Sequence, residues 1–90
     1  TEIKRRAQIL KGECGGIENL TQQRECMSVL ENLTFLSPVN NRDAFNLEME
    51  IIEELNALSS ILSTGYKDDE LKDKMSNISL LYNRRKLMMN

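Results

Sequence analysis

The sequence predicts an all-α fold, a small antiparallel bundle of four helices in a single domain. Three observations predict it. Apolar residues recur at spacings of three and four along most of the chain, the period of one helix face. Three clusters of turn-forming residues (Gly12 with Gly15 and Gly16, Ser37 to Asn41, and Thr64-Gly65) cut the chain into four such segments. No segment sustains period-two alternation, and valine occurs only twice, so nothing favours a sheet. With 90 residues the chain has room for one core and not for two.

The first segment, about 2–13, carries Ile3, Ala7 and Leu10, with Cys14 continuing the stripe. It spans barely three turns, and a helix that short is marginal alone. The glycines after it supply a helix–helix turn. The second segment, about 17–36, has a polar first half and a well-patterned second half. Cys26, Val29, Leu30, Leu33 and Leu36 fall on one face. Pro38 stops it, because the ring lacks an N–H and restricts the residue before it.

The third segment, about 42–64, has the clearest pattern. Ala44, Leu47, Ile51, Leu55, Leu58 and Leu62 form its stripe, and Phe45, Ile52 and Ile61 widen it. Asn40 or Asn41 is placed to cap its N-terminus, and Gly65 to end it in a left-handed conformation. Such a helix is on the order of 33 Å long. The fourth segment, about 68–88, places Leu71, Met75, Ile78 and Tyr82 on one face, flanked by Leu81 and Met88. Asp68 reads as its N-cap. Arg84, Arg85 and Lys86 sit in its last turns, where the helix dipole favours cations. The expected core is Leu30, Leu33, Leu47, Ile51, Leu55, Leu58, Ile78 and Leu81.

Composition excludes much chemistry. There is no histidine, so Ser–His–Asp and Cys–His sites, His-ligated metals and His pH switches are ruled out. A di-iron site in a bundle wants Glu-x-x-His pairs. The neighbouring carboxylates Glu53 with Glu54 and Asp68 with Asp69 sit side by side on exposed faces, which does not separate their pKa values for acid–base work. The run Gly12-Glu13-Cys14-Gly15-Gly16 lacks the Lys-Ser/Thr ending of a phosphate loop, and no strand precedes it. No catalytic residue, cofactor or metal is expected, and the chain reads as non-enzymatic.

The net charge of −2 conceals an acidic middle between basic ends. Lys4, Arg5 and Arg6 lie at one end, and Arg84, Arg85 and Lys86 at the other. An even number of antiparallel helices brings both ends to one pole, so these six residues are the candidate basic patch. Aromatic residues for base stacking are few, which argues against nucleic acid as the main partner. No apolar run approaches the roughly 20 residues of a membrane span. Cys14 and Cys26 are too few for a disulfide scaffold, and reduced thiols in a cytoplasmic setting are the default expectation. Three sequons, at Asn19, Asn32 and Asn77, match the N-glycosylation pattern, although Asn32 and Asn77 fall inside segments read as helices.

Glu54-Leu55-Asn56, Asp69-Glu70-Leu71 and Arg84-Arg85 resemble the helical GAT domain of trafficking adaptors over about half the chain. The Pro38 break and the short first helix depart from that pattern, and the generic helix residues involved assign no family.

What remains is recognition through helical faces. The stripe of the third segment is wider than one neighbour covers, and the methionines near the C-terminus are adaptable contact residues. Phe45, Ile52, Tyr82, Met88 and Met89 are the expected contacts with another protein or a second copy of the chain. The expected function is that of a small regulator, adaptor or chaperone. Two alternatives stand beside it. One is a nucleic-acid-associated regulator using the basic ends. The other is a secreted helical ligand, which requires used sequons and a bridge between Cys14 and Cys26.

Overall fold

The computed structural model describes residues 2–88; Thr1, Asn90 and Met89, one of the expected contacts, lie outside the described residues. Helix α1 spans Glu2–Glu13 and buries Ile3, Ala7 and Leu10. A 3₁₀ turn, Cys14–Gly16, carries the chain out of it. Ile17 then adopts extended backbone, yet its side chain is buried and anchors the turn.

Helix α2 spans Leu20–Leu33, shorter at both ends than the apolar pattern suggests. Local hydrogen bonds explain the difference. Asn19 accepts from the backbone N–H of Gln22 at 3.0 Å, which makes it the N-cap and excludes the residues before it. At the other end the Thr34 hydroxyl donates to the Glu31 carbonyl at 2.6 Å, and the chain turns there. Leu36 still reaches the core edge, but from the connection and not from the helix.

Helix α3 spans Arg42–Thr64, the expected bounds. Asn41, not Asn40, caps it and accepts from the Ala44 N–H at 2.8 Å. Gly65 ends it at φ +110°, a region that L side chains rarely adopt. Helix α4 spans Asp68–Lys86. Its N-cap is Lys67 and not Asp68, and Asp68 is instead the first helical residue. Asp68, Asp69 and Glu70 then all fall in the first turn, beside the positive end of the dipole.

The four helices form a bundle with an unusual adjacency. α1 packs on α2 and α3, and α4 packs on α3 and α2. Around the bundle the order is therefore α1, α2, α4, α3. Two antiparallel hairpins, α1–α2 and α3–α4, lie side by side, with α1 parallel to α3 and α2 parallel to α4. Polar ties mark each contact. Lys11 pairs with Glu31 across α1 and α2. The Ser59 hydroxyl reaches the Glu13 carboxylate at 3.2 Å across α1 and α3. Lys74 pairs with Glu54 at 2.8 Å across α3 and α4. The Gln22 amide donates to the Asp68 carbonyl at 3.4 Å where α2 and α4 begin. Because α2 and α3 are diagonal neighbours, segment 34–41 runs as a strap across the end of the bundle.

One apolar cluster runs through all four helices. Leu30, Leu33, Leu47, Ile51, Leu55, Leu58 and Ile78 are buried, as the periodicity requires. Leu81 is the exception: it lies on the flank of the α4 stripe and is only half-buried. Cys14, Cys26 and Leu71 are also fully buried. Each buried Leu or Ile contributes about 1.5–3 kcal/mol of transfer free energy, against the large entropy cost of ordering so short a chain. Among the described residues no helix is long and apolar enough to cross a membrane.

Candidate protein-binding site

The strap and the elements it meets form the most distinctive surface of the molecule. Its anchor is Arg85. This side chain was expected in an exposed basic patch, but only 3% of its surface is accessible. Its Nε donates to the Glu48 carboxylate at 2.8 Å, and its NH2 donates to the backbone carbonyl of Ser37 at 2.6 Å. One guanidinium thus ties α4 to α3 and both to the strap. The planar fork of arginine suits this double role, which lysine cannot reproduce.

The rest of the basic patch is also partly consumed. Arg5 and Arg6 both pair with Glu2, and Arg6 also donates to Asn56 on α3. The Arg6 hydrogen bond, aided by the charges of both arginines, holds the Glu2 carboxyl below its ordinary range. Lys86 lies over the Tyr82 ring, 5.8 Å from its centroid. Arg84 is exposed and Lys4 is half-buried. The two basic ends do meet at one pole, since Ile3 and Arg85 line the same cavity, but Arg5, Arg6 and Arg85 are each paired with an acid.

Apolar groups collect beside Arg85 and Lys86. A groove of about 460 Å³ runs between the strap and the end of α4. Phe35, Pro38 and Val39 line one side, and Tyr82 and Met88 the other. Two of the expected contacts, Tyr82 and Met88, are therefore brought together. Phe45 and Ile52 are not part of this groove. They belong to a second stripe of α3, Phe45, Met49, Ile52, Asn56 and Ser59, at spacings of four and three.

α1 covers only part of that stripe. Arg6 and Glu13 of α1 contact Asn56 and Ser59, so α1 covers the upper part. At 12 residues α1 is about 18 Å long, roughly half the length of the 23-residue α3. Ile52 is half-buried at the margin, and Phe45 and Met49 are left open beyond it. Among the described residues seven large apolar side chains are exposed. Four of them, Phe35, Phe45, Met49 and Leu87, lie at the strap end of the bundle.

Phe35, Met49 and Leu87 were not singled out by periodicity. Met49 was legible as the i+4 neighbour of Phe45. Phe35 has a weaker signal, an aromatic residue just before a proline-stopped connection. Leu87 has none beyond its place after the basic run.

Another concavity, about 630 Å³, follows α2 and α4, and Ser28, Asn32, Ser76, Ser79 and Asn83 are among its lining residues. Glu25 and Lys72 also line it, so the concavity is polar and charged. Among the described residues no group of three or more Cys, Asp or Glu side chains is placed to hold a metal ion.

No protein family, curated protein or solved structure matches the chain.

Proposed function

We propose that this chain is a non-enzymatic protein-binding module that engages a helical or extended apolar partner at its strap end. The observation that carries the reading is the gathering of Phe35, Phe45, Met49 and Leu87 around a strap held in place by Arg85. A rigid platform with adaptable apolar groups suits recognition, because the ordering cost is met in folding and not in binding. Glu and Lys/Arg side chains around it supply the polar rim that sets orientation. A regulator, adaptor or chaperone works in this way, with a different protein or a second copy of the chain as the partner.

The test is comparative capture and solution mass. Phe35→Asp and Phe45→Asp are expected to abolish a partner complex, or a concentration-dependent dimer, without moving the thermal midpoint. Leu20→Asp, at the start of α2 and the opposite end of the bundle, is expected to leave it intact. Equal retention by all three variants overturns the reading.

A second reading, a secreted helical ligand, is favoured by one observation. Asn19, Asn32 and Asn77 are all exposed, including the two that sit in helices. The Asn19 cap uses its side-chain oxygen, so its amide nitrogen is open to a glycan. Intact mass of the native protein distinguishes the two readings.

A further inference from the structure

Cys14 and Cys26 are buried, and their sulfurs lie 2.8 Å apart, closer than unbonded sulfurs sit in van der Waals contact. Twelve residues separate them in the chain. The turn that joins them is built to hold this approach. Cys14 opens the 3₁₀ turn, Ile17 anchors it in the core, and the Gln23 amide donates to the Gly15 carbonyl at 3.1 Å. Without a third ligand nearby the pair is not a metal site. An ordinary packed cysteine does not explain two thiols aimed at each other. The contact also separates their acidities: a hydrogen bond from Cys26 pulls the Cys14 thiol down, while that bond and burial push Cys26 up.

We propose that Cys14 and Cys26 are a modification site that closes into a single disulfide, stapling α1 to α2. The staple acts on the weakest element, since α1 is short and small bundles have little spare core. The chemistry is thiol–disulfide exchange with a low-molecular-weight disulfide of the glutathione class. The Cys14 thiolate attacks one sulfur of that disulfide and expels a small thiolate. Cys26, deprotonated in turn, attacks the Cys14 sulfur of the mixed disulfide and expels the second. The two protein protons end on the two released small thiols, and the two electrons given up by the cysteines reduce the small disulfide. Access to the sulfurs comes from opening of the glycine turn, whose Gly15 and Gly16 are exposed. This inference is independent of which protein is bound at the strap end, and its failure leaves that reading untouched.

The test is equilibration of the full chain with oxidised glutathione, quenching with an alkylating agent, and measurement of intact mass and thermal midpoint. The expected product is monomeric, lighter by the two hydrogens lost, and unalkylated. Adding reductant is expected to lower its midpoint by roughly 15 °C, the effect of closing a loop of this size in a domain of this length. Cys14→Ser and Cys26→Ser are expected to melt with the reduced protein and to be indifferent to reductant. If either variant fails to fold, the comparison of oxidised and reduced wild type still decides the matter. Double alkylation after equilibration, a persistent glutathione adduct, a disulfide-linked dimer, or a midpoint unmoved by reductant each overturns the staple.

Discussion

Replacing Arg85 with Met retains most of its apolar stem but removes the guanidinium from a buried position. Two groups then lose their partner, the Glu48 carboxylate and the Ser37 carbonyl. Breaking a fully buried ion pair costs about 3–5 kcal/mol. Glu48 keeps 28% of its side-chain surface, and Ser37 is exposed, so both regain some water. The cost therefore falls to about 2–3 kcal/mol. For 90 residues the entropy of unfolding is about 0.19 kcal/mol/K, so the thermal midpoint drops by roughly 10–16 °C. Urea and thermal unfolding followed by far-UV circular dichroism measure it. Glu48→Gln keeps a neutral acceptor and is expected to cost only about 1 kcal/mol. The double variant should be less destabilised than the sum of the two, because both act on one bond. Added salt should change the loss little, since the pair is shielded from ions. A loss under about 1 kcal/mol for Arg85→Met refutes the reasoning and returns Arg85 to the role of a surface cation.

Further predictions concern helix ends and pH. Gly65→Ala forces a Cβ into φ +110° with no contact to compensate; denaturant unfolding should show a loss of about 1 kcal/mol or more. Asn41→Ala removes the α3 cap, and denaturant unfolding should show a cost of about 1 kcal/mol. Glu2 titrates lower in the folded state than its ordinary value of 4.5, chiefly through the hydrogen bond from Arg6. Its contribution is therefore complete above that value and lost as pH falls through the lower folded one. An acid titration of stability should be flatter in that window for Glu2→Gln than for the wild type, and identical slopes exclude the pairing.

Much of this molecule was legible in the sequence for a local reason. Helix period, caps and stops depend on residues within a few positions of one another. The 3-and-4 spacing located all four helices, Gly65 marked the end of α3, and seven of the eight expected core residues are buried, but α2 stops at Leu33, well before the expected stop at Pro38. Both bounds of α2 differed where a side chain competes for backbone partners, as Asn19 and Thr34 do, and α4 ends at Lys86, two residues before the expected 88. Of the expected contacts, Tyr82 and Met88 line one groove, while Phe45 and Ile52 lie along a separate stripe of α3.

The non-local features could not be read in the same way. Arg85 in a final turn looks like a cation placed for the dipole, and its partners lie 37 and 48 residues away. Glu48 likewise looks like one acid among several. Only the diagonal strap brings the Ser37 carbonyl to the guanidinium, and only then is burial of that charge tolerated. The same packing leaves Phe45 and Met49 of the α3 stripe exposed.

The sequence by itself determined an all-α chain of four helices, their punctuation and most of their buried faces, because those depend on spacing along one chain. The tertiary structure alone decided the ring order, the burial of Arg85, the meeting of Cys14 with Cys26 and the apolar end that lies open. Each of these depends on which helix lies beside which, and periodicity specifies which face is buried but not the neighbour that buries it.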